Sequence, residues 1–260
     1  MLRAWMALAV AGLCGVARGQ APSYSTANIV NASDYSPGPF APNSVLTIFG
    51  ADLALGQPAG LTPQNIASGS LPFQLASISV YIDNISVPLL YASATQINLL
   101  VPANEIPGAV PLRVVRQGLT GPTATITLVN AAPALFPSPD NFALAQDYNA
   151  NYAVVSAAAP AQPGDLVVLY ATGLGATQPL PGLGEIPENA GLISAFSSLQ
   201  VLLNGTAIDP KTMPYAGQTP GFAGLYQVNF FLPGNCPPNP QIQLVIGQQM
   251  SAQGIMLAVQ

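Results

Sequence analysis

The sequence predicts an all-β protein, two tandem immunoglobulin-like β-sandwiches behind a signal peptide. Three observations predict it. One module is present twice; its apolar runs alternate with the two-residue period of a strand; and 27 prolines and 24 glycines punctuate those runs. No segment beyond the signal peptide shows helical periodicity.

The repeat is anchored on Tyr215 to Pro233, a longer version of Tyr91 to Pro102. In the later copy Val228, Phe230 and Leu232 share one face, with Gln227, Asn229 and Phe231 on the other. The earlier copy sets Ile97, Leu99 and Val101 against Gln96, Asn98 and Leu100. Side chains of a strand point alternately to opposite faces, so each copy reads as a half-buried strand closed by a proline.

Upstream, Pro42 and Val45 to Gly50 recur as Pro163 and Leu166 to Ala171, and Val80 to Asn84 recurs as Val201 to Gly205, both 121 positions on. Two matches at one offset indicate duplication. Asp83-Asn84 and Asn204-Gly205 are predicted hairpin turns, because both residue types tolerate positive φ. By Gln96 and Gln227 the offset is 131, so the second copy has extra residues, mostly in Gln218 to Gly224. Each module is predicted to end in two strands: Leu112 to Arg116 and Thr123 to Val129, then Ile242 to Ile246 and Gly254 to Val259. About seven short strands per module fit a sandwich. Asn130 to Pro133 is the junction, short enough for the modules to touch, which divides the chain into residues 20–131 and 132–260.

Ala132 to Phe136, Pro163 to Gly175, and Tyr215 to Asn229 together resemble the uncharacterised C-terminal domain family of secreted acidobacterial proteins, and more distantly IPT/TIG domains. The N-terminal module, through Val30 to Ser33 and Ala41 to Gly50, resembles what often precedes that domain. The resemblance implies an exported, all-β, non-catalytic protein and brings no catalytic or ligand residues with it.

Met1-Leu2-Arg3, the apolar run from Ala4 to Ala17 and the small residues before Gln20 read as a secretory signal peptide over residues 1–19, cleaved after Gly19 or Ala21. The run is too short for a comfortable membrane span, and no later one is long enough. Cys14 follows Leu13 rather than a small residue and reads as a discarded leader cysteine, not a lipidation site. Cys236 is then the only cysteine left; beside Pro237-Pro238 and with no base in sight it reads as a small buried or semi-buried residue, an intermolecular disulfide being the alternative. The mature chain sets Arg113, Arg116 and Lys211 against ten acidic residues, a formal charge of −7. Such a chain repels phosphate backbones, so nucleic acid is not an expected partner.

There is no histidine, which removes Ser-His-Asp and Cys-His catalysis and His-based metal sites together. Glu185 and Glu188 are the paired carboxylates, but on the Pro179 to Gly191 segment they read as a solvated loop rather than a glycosidase pair. Asp147-Tyr148-Asn149-Ala150-Asn151 begins like a calcium loop and then fails at Tyr152 and Ala158, so a polar turn is expected. Gly173-Leu174-Gly175 reads as a turn, lacking a third glycine and a following helix. Asn31, Asn84 and Asn204 match the glycosylation pattern, which is common by chance. No cofactor is implied.

Two groups remain. Gln96 and Asn98, with Gln227 and Asn229, recur at equivalent positions, and their amides are expected to tie down loop backbone within each module. The extra loop Ala216 to Leu225 sets Phe222 between glycines, beside Tyr215 and Tyr226. These three aromatics form the candidate contact, and the competing expectation is that Phe222 folds back to plug the open end of its sandwich. The functional expectation is an exported, non-catalytic interaction or scaffold protein of the cell envelope or extracellular space, meeting a protein or polysaccharide. The alternative is a carbohydrate-binding protein using the aromatic loop.

Overall fold

The computed structural model describes residues 19–260. The signal-peptide reading, apart from Gly19, and Cys14 lie outside the described residues. Among the described residues no helix is long and apolar enough to cross a membrane.

The fold is all-β and immunoglobulin-like. One sheet runs Ile29–Asn31, Val45–Phe49, Gln96–Leu100, Leu89–Ala92, Ala59–Gly60, and a second runs Ala124–Leu128, Gly108–Arg116, Ile78–Ile82, Ile85–Val87. This is the A-B-E-D and G-F-C-C′ arrangement of that fold. Leu46, Ile48, Ile97 and Leu99 from the first meet Ile78, Val80, Leu112, Val114 and Ile126 from the second in one core. The alternation seen in the sequence is thus the inside and outside of a sandwich.

Residues 131–259 enclose another core. Its larger sheet runs Ala153–Val154, Ala145–Asp147, Leu166–Thr172, Tyr226–Phe231, Tyr215–Gln218, Gly191–Ile193, Thr177–Gln178, and Leu199–Leu203 lies between Thr206–Ala207 and Ile242–Ile246 in the smaller. The repeated offsets recur as register: Val45 opposes Leu100 where Leu166 opposes Phe231. Asp83-Asn84 and Asn204-Gly205 have positive φ throughout and close the expected hairpins.

Two expectations need correction. Gly254 to Val259 keeps its place beside Ile242 but forms only isolated bridges. Pro237, Pro238 and Pro240 lack the N–H groups a ladder needs, and Met256 bonds instead to Asn141 and Ala143. A single-turn α-helix spans Pro63–Ala67, capped by the Thr62 hydroxyl with proline at its first position. One turn is too short to show a 3.6-residue period. Cys236 is buried in the second core, the buried position expected of it.

Of the three cations among the described residues, only Lys211 has its charge uncommitted. Arg113 stacks over Tyr81, 4.9 Å from the ring centre. Arg116 is 1% exposed and donates to the Asp52 and Gln20 carbonyls, pinning the start of the described chain.

The two halves are packed together. Asn43 Nδ2 donates to Tyr226 Oη at 2.9 Å, and Tyr226 Oη donates to the Gly175 carbonyl at 2.5 Å. Gly173 and Gly175 have positive φ, and a Cβ on either would overlap the carbonyl oxygen of Ala132 or Asn130. The Gly173-Leu174-Gly175 turn therefore seats the junction. Leu71, Leu100 and Ile186 form a third buried cluster, drawn from both halves. Burying each such side chain contributes about 1.5–3 kcal/mol against about 1 kcal/mol for each hydrogen bond. The apolar contacts hold the halves together, and the hydrogen bonds set how they meet.

Asn43 has φ 60° at the place where the second repeat has Gly164, φ 94°, so Asn43→Gly removes the amide without straining the backbone. A double-mutant cycle of Asn43→Gly with Tyr226→Phe, followed by chemical denaturation, is expected to give a coupling of about 1 kcal/mol. A coupling near zero would show that the bond contributes nothing.

Burial drives the Tyr226 pKa far above the ordinary 10.0, against a smaller opposing effect of Asn43. Since the folded pKa is raised, this contribution to stability is complete below about pH 10 and is lost as the pH climbs higher. Burial raises Tyr24, Tyr170 and Tyr215 in the same direction. The denaturation midpoint is expected to fall from pH 8 to pH 11, and Tyr226→Phe to narrow that fall.

Candidate functional site

The loop that distinguishes the second repeat from the first joins the strands Tyr215–Gln218 and Tyr226–Phe231. Thr219 N donates to the Leu225 carbonyl at 2.9 Å, closing its base, and Phe222 N donates to the Thr219 carbonyl at 3.2 Å. Gly221 N donates to the Pro187 carbonyl at 2.7 Å, and the Thr172 hydroxyl donates to the Gly224 carbonyl at 2.8 Å. A Cβ on Gly224 would come within 2.6 Å of Val45 Cγ2 and 2.7 Å of Leu100 Cδ1. Only glycine lets the loop approach the first half so closely.

Phe222 is held at 58% exposure. The plug expectation is overturned, because a side chain this exposed does not fill the end of its sandwich. Phe222 borders a cleft of about 400 Å³ between the halves. Val45, Leu61, Ile66, Leu71 and Leu90 line it from the first half, Phe136, Ile186 and Leu225 from the second. Ile66 is exposed on the one-turn helix.

The aromatic trio is not a trio. Tyr226 is fully buried and spends its hydroxyl on Asn43 and Gly175, so it is a core residue and not a contact. Tyr215 is half-buried and donates to the Gln218 carbonyl at 2.8 Å, which ties its ring to its own strand. Neither borders the Phe222 cleft.

The repeated amides do share a face, half-buried in both copies. They do not tie down loop backbone through their side chains as expected. Gln96 Nε2 donates to Asn98 Oδ1 at 2.9 Å and the Thr47 hydroxyl to the same oxygen at 3.1 Å. A strand places i and i+2 side by side, so the amide pairs along its own strand first. Asn98 also borders the cleft. In the second copy Asn229 Oδ1 is buried without a partner, and Gln227 makes no corresponding pair among the described residues.

The Pro179 to Gly191 segment leaves Glu185 and Glu188 exposed, as the solvated-loop reading expected, but its middle is docked on the first half. Leu71 N donates to the Gly184 carbonyl at 2.7 Å and Ile186 N to the Gly69 carbonyl at 2.8 Å, while Ile186 and Pro187 are buried. It is a strap laid across the first half. Glu185 Oε2 accepts from Gly182 N at 2.6 Å, and Glu185 and Glu188 border a second, polar cleft of about 470 Å³ with Ile186 and Gln218. Asp147 accepts from Asn149 N at 2.8 Å and Ala150 N at 3.3 Å, forming the expected polar turn. Of the glycosylation matches, Asn31 is buried and bonded to Ser33, while Asn84 and Asn204 stand at exposed hairpin tips.

Sequence reasoning missed the first-half wall of the cleft. One signal was available: Leu100 follows Gln96 and Asn98 on the outward face, where an apolar residue needs cover, and that cover is Ala223 with Gly224.

No protein-family model matches the chain, and no curated protein matches it. Among solved structures it is similar to the surface glycan-binding protein PbSGBP-B from Prevotella bryantii, at 12% identity and a TM-score of 0.27, over 87% of this chain and 40% of that one. It is also similar to SGBP-B of the Bacteroides ovatus mixed-linkage glucan utilization locus, in complex with a mixed-linkage heptasaccharide, at 7% identity and a TM-score of 0.33, over 85% and 43%. A third similarity is to the tandem Ig repeats of Dlar, at 11% identity and a TM-score of 0.21, over 93% and 95%. The chain spans less than half the length of the two glycan-binding proteins.

Proposed function

We propose that this chain is an exported, non-catalytic interaction protein of the cell envelope or extracellular space. Its two tandem modules, residues 20–131 and 132–260, form one platform, and membership of the secreted acidobacterial domain family is part of the same reading. It holds a protein partner by an apolar side chain in the Phe222 cleft.

One observation carries this. A phenylalanine 58% exposed stands over an apolar cleft, on a loop bonded on both sides that the first repeat lacks. A contiguous exposed apolar surface of this kind is a mark of a binding site. The cleft's lining favours a protein side chain over a sugar. A sugar site pairs a flat aromatic face with several hydrogen-bonding groups. Here Asn98 is the one polar side chain in the lining, and its Oδ1 already accepts two hydrogen bonds. Other exposed aromatics also lack a coplanar platform: Tyr35 and Phe49 are tilted by 51°, Tyr148 and Tyr152 by 82°.

The test pairs a photo-crosslinking phenylalanine analogue at position 222, irradiated in the native envelope, with a glycan array probed by the purified protein. The expected result is a discrete protein adduct from position 222, none from the same analogue at exposed Ile106, and no glycan signal. Phe222→Ala is expected to change stability by no more than about 0.5 kcal/mol, as for other exposed side chains. A glycan signal that disappears in Phe222→Ala would replace this reading with the carbohydrate one.

A further inference from the structure

The strap separates two clefts of opposite character. Ile186 borders both: on one side the apolar cleft with Phe222, on the other the polar cleft with Glu185 and Glu188. Pro187 and Ile186 are buried, while both glutamates are exposed. Among the described residues neither carboxylate has a lysine or arginine at ion-pairing distance. Of the described cations, Arg116 is buried against backbone carbonyls and Arg113 is stacked on Tyr81, which leaves Lys211 against ten acidic residues. Such carboxylates raise the local concentration of a cationic partner and disfavour an acidic one.

Resting on the protein-binding reading of the Phe222 cleft, we propose that the partner presents a peptide segment in which an apolar side chain is flanked by lysine or arginine. The apolar side chain fills the Phe222 cleft and the cationic one crosses the strap to Glu185 and Glu188. In an extended segment residues i and i+2 project to the same side about 7 Å apart, and Ile186 borders both clefts. A second copy of this protein is disfavoured as the occupant by the same charge count.

The test uses the full chain and synthetic nine-residue peptides with a central leucine or phenylalanine and flanks of lysine, serine or aspartate. Binding is measured by surface plasmon resonance at low and at about 0.5 M salt. Lysine-flanked peptides are expected to bind about tenfold tighter than serine-flanked ones at low salt, with the gap closing at high salt as screening shortens the reach of the carboxylates. Glu185→Gln with Glu188→Gln keeps the acceptor that bonds Gly182 and is expected to abolish the lysine preference without weakening serine-flanked binding. Phe222→Ala is expected to abolish both, with the fold verified by circular dichroism. Equal binding of lysine- and serine-flanked peptides, both lost in Phe222→Ala, overturns the charge inference and leaves the cleft reading standing. Lysine-flanked binding that persists in Phe222→Ala overturns the inference as general attraction to an acidic chain. Peptide binding that is absent altogether, or unaffected by Phe222→Ala with every flank, overturns the cleft reading itself.

Discussion

The hydrogen-bond chain from Asn43 through Tyr226 to Gly175 is the contact around which the rest of the molecule is arranged. It crosses between the halves, and all three groups are buried. A tyrosine hydroxyl away from water must find partners or incur a desolvation cost of about 1–3 kcal/mol. Tyr226 therefore accepts only an arrangement in which Asn43 and Gly175 both reach it. Because Gly175 and Gly173 also seat the junction, the same arrangement fixes how the second half emerges from the first. The apolar cluster of Leu71, Leu100 and Ile186 supplies most of the attraction, but it is non-directional and would tolerate other alignments.

The cleft follows from that alignment. Neither half contains it: one wall comes from Val45, Leu61, Ile66 and Leu90, the other from Phe222, Ile186 and Phe136. The correspondence between the two halves is informative here because of where it fails. The core strands and hairpin turns keep their register in both copies, as packing demands. The differences between the halves, Asn43 in place of a glycine and the longer Phe222 loop, both lie at the surface between them. Residues released from the repeat pattern are those serving something other than the sandwich.

Much of the fold was legible because it rests on local rules. A two-residue alternation survives in any strand with one dry face, and an Asn-Gly pair closes a hairpin wherever it occurs, so both repeats could be aligned by eye. Gly254 to Val259 shows the limit of that method. Its pattern is strand-like, but its neighbour carries Pro237, Pro238 and Pro240, and a ladder needs two competent edges. Tyr226 shows another limit. Beside Phe222 on a glycine-rich loop it has the appearance of a second surface aromatic, but its ring lies in the core of its own half and its hydroxyl is met by Asn43, more than 180 positions away.

From the sequence alone followed the β class, the hairpin positions, the acidic balance and the exclusion of histidine chemistry, because each depends on residues near one another or on a simple count. Tertiary structure alone decided which face of each strand was covered twice, that the Pro179 to Gly191 segment is a strap, and that Phe222 stands outward while Tyr226 turns in. Those outcomes depend on contacts between segments remote in the chain, and solvent exposure is a property of the packed pair rather than of either repeat.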